Sequence, residues 1–280
     1  MINYHKLIID HFVKELKRAY LETYNILEPH IGNTLEWLGL LALENISNTD
    51  ALYHNVDHTI MVTSVGQSIL KGKHLCEGGV TPRDWLHYTM ALLFHDIGYV
   101  RGICRADRNG RYATGVGGET VGLPPGGTDA SLTPYHVDRS QLFVRERFGE
   151  AVFTSIDVEL VNGYIEMTRY PVPAADPFYA DTAGYRGLVR AADFIGQLGD
   201  PNYLRKLPAL FYEFEETGMN QKLGYRNHGD MRRGYAGFYW QEVRPFIQDA
   251  LHYLRITHAG KQWIAQLHSH VFDVEHAADA

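Results

Sequence analysis

The sequence predicts an all-α fold, and three observations carry that expectation. Apolar residues recur at helical spacing in one segment after another, as in Leu7, Ile8, Phe12, Leu16, Tyr20 and Tyr24 with charged residues between them. Start and stop signals punctuate these segments, such as Thr81-Pro82 at one beginning and Gly72 and Gly98 at two ends. No stretch alternates with the period of two that a half-buried strand needs.

Taken in order, Leu7 to Leu27 reads as an amphipathic helix ended by Pro29 and Gly32, and Thr34 to Glu44 as a second. These are packing elements, and His5, His11 and His30 read as solvated or core histidines. Asn45 to Asp50 is a turn. A third helix runs from Val56 to Leu70 with Ile60, Val62, Val65 and Ile69 on its apolar side, and Gly72 marks its end. Thr81 caps a fourth, which opens on Pro82 and runs through Trp85, Leu86 and Leu92 to His95. Tyr99 to Thr133 then breaks the pattern, with glycine and proline crowded between 115 and 127. Loops beyond about 15 residues are usually functional or disordered, and this one leaves directly from His95-Asp96, so it is placed to arch over that helix end; the sequence leaves open whether 115–127 is a lid. Helices follow from Thr133-Pro134 through His136 to Phe148, and from Asp157 to Thr168. A proline-rich linker precedes the helix that carries Asp193, and Leu204 to Glu216 ends at Gly218. Residues 219 to 233 read as irregular, before two closing helices, Tyr235 to Ile256, kinked or interrupted at Pro245, and His258 to Phe272.

Composition bounds the function. With 280 residues, 45% apolar and 21% charged, the chain can bury a substantial core. A formal charge of −7 without a basic block argues against nucleic-acid duplexes and membrane surfaces as partners. A small anionic substrate stays compatible with it, since a few local arginines suffice. Cys76 and Cys104 form neither a disulfide framework nor a zinc-type pair. With no signal-peptide core after Met1 and no run long enough to span a bilayer, the expected location is the cytoplasm.

The chemistry gathers in three places. His95 and Asp96 stand at a buried helix end, where neighbours diverge by about 100°, so a metal ion fits the wedge between them. His54 and His58 lie four apart, on one face if both are helical; the alternative is that His54 caps the helix and His58 is a satisfied polar group. Asp193 sits among apolar neighbours from Leu188 to Gly196 and needs either a metal or an ion pair with Arg190. Beyond these, Arg101 and Arg105 leave the His95-Asp96 end and suit phosphate through the fixed fork of the guanidinium, unless the loop is a solvated one paired to Asp107.

In these residues the chain resembles the HD-domain metal-dependent phosphohydrolases, which carry a His, a His-Asp pair and a distant Asp on successive helices. Tyr53-His54-Asn55 followed by His58 is also similar to class I cyclic nucleotide phosphodiesterases. The resemblance implies one HD-type, phosphodiesterase-like helical domain over 1–280, with its core at about 52–199 and helices 1–50 and 200–272 packed on it. It implies His58, His95, Asp96 and Asp193 as ligands of one or two divalent ions (Mn, Fe, Zn, Co or Mg), with Asp96 bridging and His54 protonating the leaving group. His136 is assigned to a second ion or to substrate, and Thr168 and Arg169 to substrate, because the helix after His136 offers no second histidine. A bound ion lowers the pKa of water from about 16 toward 7, so the implied reaction is hydrolysis of a small, nucleotide-like phosphoester. The competing readings are a di-iron HD-domain oxygenase and a non-catalytic nucleotide-binding module, since fold does not fix function.

Overall fold

Helix α1 (Tyr4–Tyr24) places Phe12, Leu16 and Tyr20 four residues apart and buries them against α2 (Pro29–Ile46). The computed structural model describes residues 4–149, 155–173 and 175–276. Asn25, in the left-handed region at φ 53°, follows the end of α1. The second helix starts at Pro29 rather than Thr34, because a proline in the first helical turn removes no hydrogen bond the helix would have made.

Asn55 caps α3 (Val56–Glu77), its side chain accepting from Asp57 N at 3.0 Å and His58 N at 3.4 Å. The cap is therefore Asn55 and not His54. Gly72 does not end α3. It is the point of closest approach to the last helices, where a Cβ would lie 2.1 Å from the Tyr253 carbonyl oxygen. The predicted capping of α4 (Pro82–Phe94) is present as a reciprocal pair between Thr81 and Asp84. Trp85 to Phe94 is buried throughout, so α4 is the central helix, packed among α2, α3, α6 (Val158–Ile165) and α7 (Tyr185–Leu198). Helices α3 and α7 cross closely as well. At Gly196 a Cβ would stand 2.6 Å from Val62 Cα, a distance only glycine permits.

The glycine-rich segment carries a short antiparallel ribbon, β1 (Arg111–Ala113) with β2 (Thr120–Gly122), which the sequence pattern did not suggest. It is pinned to the body by Arg139 of α5 (His136–Phe148). This arginine is fully buried and donates to the carbonyls of Gly98, Val100 and Ala113 and to both oxygens of Asp107. Asp107 is thus the partner of Arg139, at 2.9 Å, and not of the nearby loop arginines.

After α8 (Tyr203–Glu216), the stretch read as irregular folds into α9 (Met219–Leu223) and α10 (His228–Phe238), the latter capped by Asn227. Its polar composition hid the helices, for in α10 only Met231 and Tyr235 are buried. The interruption expected at Pro245 is present. A turn of π-helix at Tyr239–Val243 precedes the proline, which falls in the first turn of α11 (Arg244–Leu254), where its missing N–H is not needed. The chain closes with α12 (His258–Glu275), so the architecture is an all-α bundle apart from the small ribbon. Among the described residues, no helix is long and apolar enough to cross a membrane.

Candidate metal centre

Helices α3, α4 and α7 bring four side chains to one point. His58 lies in the first turn of α3, His95 caps the end of α4, Asp96 follows it just outside helical geometry, and Asp193 projects from α7. His58 Nε2 and His95 Nε2 are 3.3 Å apart. Asp96 Oδ2 is 3.3 Å from the first and 3.2 Å from the second, and Asp193 Oδ1 is 3.5 and 3.6 Å from them. Because Asp96 leaves the helix, it turns back toward His95 rather than diverging from it. Arg190 is no partner of Asp193; it donates instead to the carbonyls of Tyr179 and Asp181.

The group has the chemistry of a ligand set more than of a hydrogen-bond network. Asp96 Oδ2 and His58 Nδ1 are buried yet make no hydrogen bond, which for a polar network would be costly. His95 Nδ1 donates to the Leu92 carbonyl at 2.8 Å, so in the neutral ring the lone pair of Nε2 faces the cluster. His136 is fixed in the same way, donating from Nδ1 to the Thr133 carbonyl at 2.6 Å with Nε2 3.8 Å from Asp96 Oδ1. Two sets of three have ligand atoms within 4.8 Å of one another, His54 with His58 and Asp96, and His58 with His95 and Asp193. Mixed imidazole and carboxylate donors of this kind fit a divalent ion.

Charge coupling across the cluster is strong. Burial lowers the His58 pKa, but the carboxylates of Asp193 and Asp96 beside its Nε2 outweigh it and raise the pKa to about 10. Burial opposes ionisation of Asp96, yet His95 and His58 hold it well below the carboxylate range. His136 is pushed down by burial.

His54 precedes the cap of α3, so it meets His58 across the turn and not along a helical face; their ring centroids are 5.4 Å apart. Its Nδ1 is 2.5 Å from Oε2 of Glu213, on α8. Glu213 is 2% exposed and also accepts from Tyr53 N at 2.6 Å and His54 N at 3.2 Å. Burial raises its pKa, and His54 with these N–H groups more than reverses that. The rings of His54, Tyr99 and His136 stack in sequence, with 4.6 Å between successive centroids.

A cavity of about 550 Å³ opens from His54, His58, Asp96 and Asp193 and runs between α7, α8 and α10. Of the residues assigned to substrate, His136 lines it, and Arg101, Arg105, Thr168 and Arg169 do not. Arg101 is held between Asp50 and Asp129, Arg105 is bound to Glu146, and Arg169 is clamped by Glu166 and Asp138. Thr168 returns its hydroxyl to the Ile165 carbonyl at 2.8 Å. These corrections share a cause: each arginine met acceptors that folding brought near, carboxylates for Arg101 and Arg169 and the Glu146 backbone carbonyl for Arg105. Nothing from 100 to 128 lines the cavity, whose outer walls come from α8 to α10.

Sequence reasoning missed Glu213 and Tyr99. For Glu213 a signal existed, because the buried register of α8 at Tyr203, Leu207 and Leu210 runs into it. A family model described as Npun_R2479-like matches residues 2–277. No curated protein matches the chain.

Proposed function

The chain belongs to the Npun_R2479-like family, and we propose, from the geometry of its site, that it is a metal-dependent hydrolase that cleaves a phosphoester. One observation carries the reading: imidazole nitrogens and two carboxylates converge, partly without hydrogen bonds, at the inner end of a closed-sided cavity. His58, His95, Asp96 and Asp193 would hold the ion, which when bound supplies an acidified water and polarises a phosphoryl oxygen. The likeness of these four residues to the HD-domain pattern supports the same assignment.

The chain's own residues do the rest. Glu213 fixes the His54 ring through Nδ1 and leaves Nε2 free to give a proton to the departing oxygen. The Tyr99 ring, stacked between His54 and His136, keeps both imidazoles from turning. Asp96 lies between His58 and His136, placed to be shared if a second ion binds.

The test measures bound metal per chain, by element, and hydrolysis of bis(4-nitrophenyl) phosphate, in the wild type and in Asp96→Ala. Bound manganese, zinc or cobalt and metal-dependent turnover, both lost in the variant, are the expected result. No ion in the wild type after incubation with these metals, or hydrolysis undiminished in the variant, overturns the reading. Two irons with no hydrolysis would replace it with an oxygenase.

A further inference from the structure

The cavity beyond the ligand cluster has a composition of its own. Eight of its lining residues are tyrosine or phenylalanine, and none is lysine or arginine. The one carboxylate outside the proposed ligand pair is Glu242. Outside the ligand cluster this space therefore presents one carboxylate and no lysine or arginine to the body of a substrate, so groups there that carry negative charge meet no fixed cation. The nearby cations are spent elsewhere: Arg169 is closed by Glu166 and Asp138, and Arg101 by Asp50 and Asp129.

Against this apolar background one polar group stands unmet. Tyr235, on α10, lines the cavity and is 2% exposed, and its hydroxyl is buried without a hydrogen-bond partner. Its neighbour Tyr203, with ring centroid 5.6 Å away, is by contrast paired, receiving the Gln197 amide at 3.3 Å. An unpaired buried hydroxyl costs free energy that a bound acceptor would recover.

We infer that the site takes a substrate whose organic body is uncharged and aromatic or otherwise apolar, with one neutral hydrogen-bond acceptor received by Tyr235. Nucleoside polyphosphates and other polyanions are therefore not its substrates. The inference rests on the hydrolase reading only for the bond that is cleaved; the selection of a neutral body belongs to the cavity itself.

The test uses three small probes on the 280-residue chain as purified, followed by ligand-observed NMR: benzamide, which is neutral with a carbonyl acceptor; benzenesulfonate, its anionic counterpart; and toluene, which has no acceptor. Benzamide should bind in the millimolar range and benzenesulfonate at least about tenfold more weakly, as expected when an anion enters an apolar site without a cation. Tyr235→Phe should weaken benzamide by roughly three- to tenfold, the range of one hydrogen bond, and leave toluene unchanged. The unchanged toluene signal reports that the variant has kept the cavity. Sulfonate binding as tight as amide, no binding of benzamide, or equal loss of amide and toluene in Tyr235→Phe overturns the inference. None of these readouts requires turnover, so a protein that hydrolyses no phosphoester can still pass, and a working hydrolase that prefers the anion fails.

Discussion

Gly196 and Val62 lie so close that a single methyl group on the glycine would sit 2.6 Å from the valine Cα. Asp193 is one helical turn before Gly196, and His58 one turn before Val62. The backbone contact therefore sets how near the carboxylate comes to the imidazole.

Gly196→Ala should lower stability by about 1–3 kcal/mol, the usual cost of overfilling a packed contact with backbone on the other side. It should also weaken metal binding, because α7 can relieve the clash only by carrying Asp193 away. Denaturant unfolding and a metal titration measure the two effects. Unfolding at the wild-type midpoint with unchanged affinity would show that the crossing has room to spare.

Glu213→Gln should reduce turnover by about 10- to 100-fold, the range for a residue that orients a working histidine, with metal content unchanged. His54→Ala should cost more, about 10² to 10⁴ in turnover, again with metal retained. If the metal is lost from His54→Ala, His54 is a ligand, as its grouping with His58 and Asp96 permits, and the proton donor must be sought elsewhere.

Arg139 should prove the most sensitive charged residue away from the cavity. Replacing it with Met leaves Asp107 without its buried cation and three carbonyls without their donor. Breaking a buried pair from one side typically costs about 3–5 kcal/mol. Arg139→Met with Asp107→Asn should recover part of that loss in equilibrium unfolding; no recovery would mean that the carbonyl bonds, and not the charge pair, dominate.

His87 gives a pH test independent of the cluster. Burial lowers its pKa below the ordinary 6.5, and its Nε2 accepts from Asp157 N at 2.9 Å, which requires the neutral ring. The unfolded chain then binds more protons than the folded one just below that value, so stability rises with pH through the window. Its contribution is complete above about 6.5 and lost as pH falls toward the lowered folded value. His87→Gln keeps an acceptor but cannot titrate, so melting temperatures from about pH 7 to about pH 5 should slope less in the variant than in the wild type. Parallel slopes would sink the assignment.

Local signals made the helices legible. Thr81-Pro82 specified a start that the structure keeps, because capping depends on a few adjacent residues. Gly72 misled because a glycine that admits another backbone looks, in sequence, like one that ends a helix. The residues proposed as ligands were readable because each stands beside its own apolar run. The substrate contacts were not: Arg101 and Arg105 carry the right chemistry for phosphate, but their occupants, Asp50, Asp129 and Glu146, come from distant positions. Glu213 was hidden for the same reason, being 159 residues from the histidine it orients.

That separation has a consequence for the order in which the protein is made. A ribosome releases residues from the amino terminus onward, and the four proposed ligands have all emerged once Asp193 has. Glu213 follows later, and the cavity wall at Tyr235 and Glu242 later still. A growing chain thus has the four proposed ligands before it has the carboxylate bonded to His54 or the far wall of the cavity.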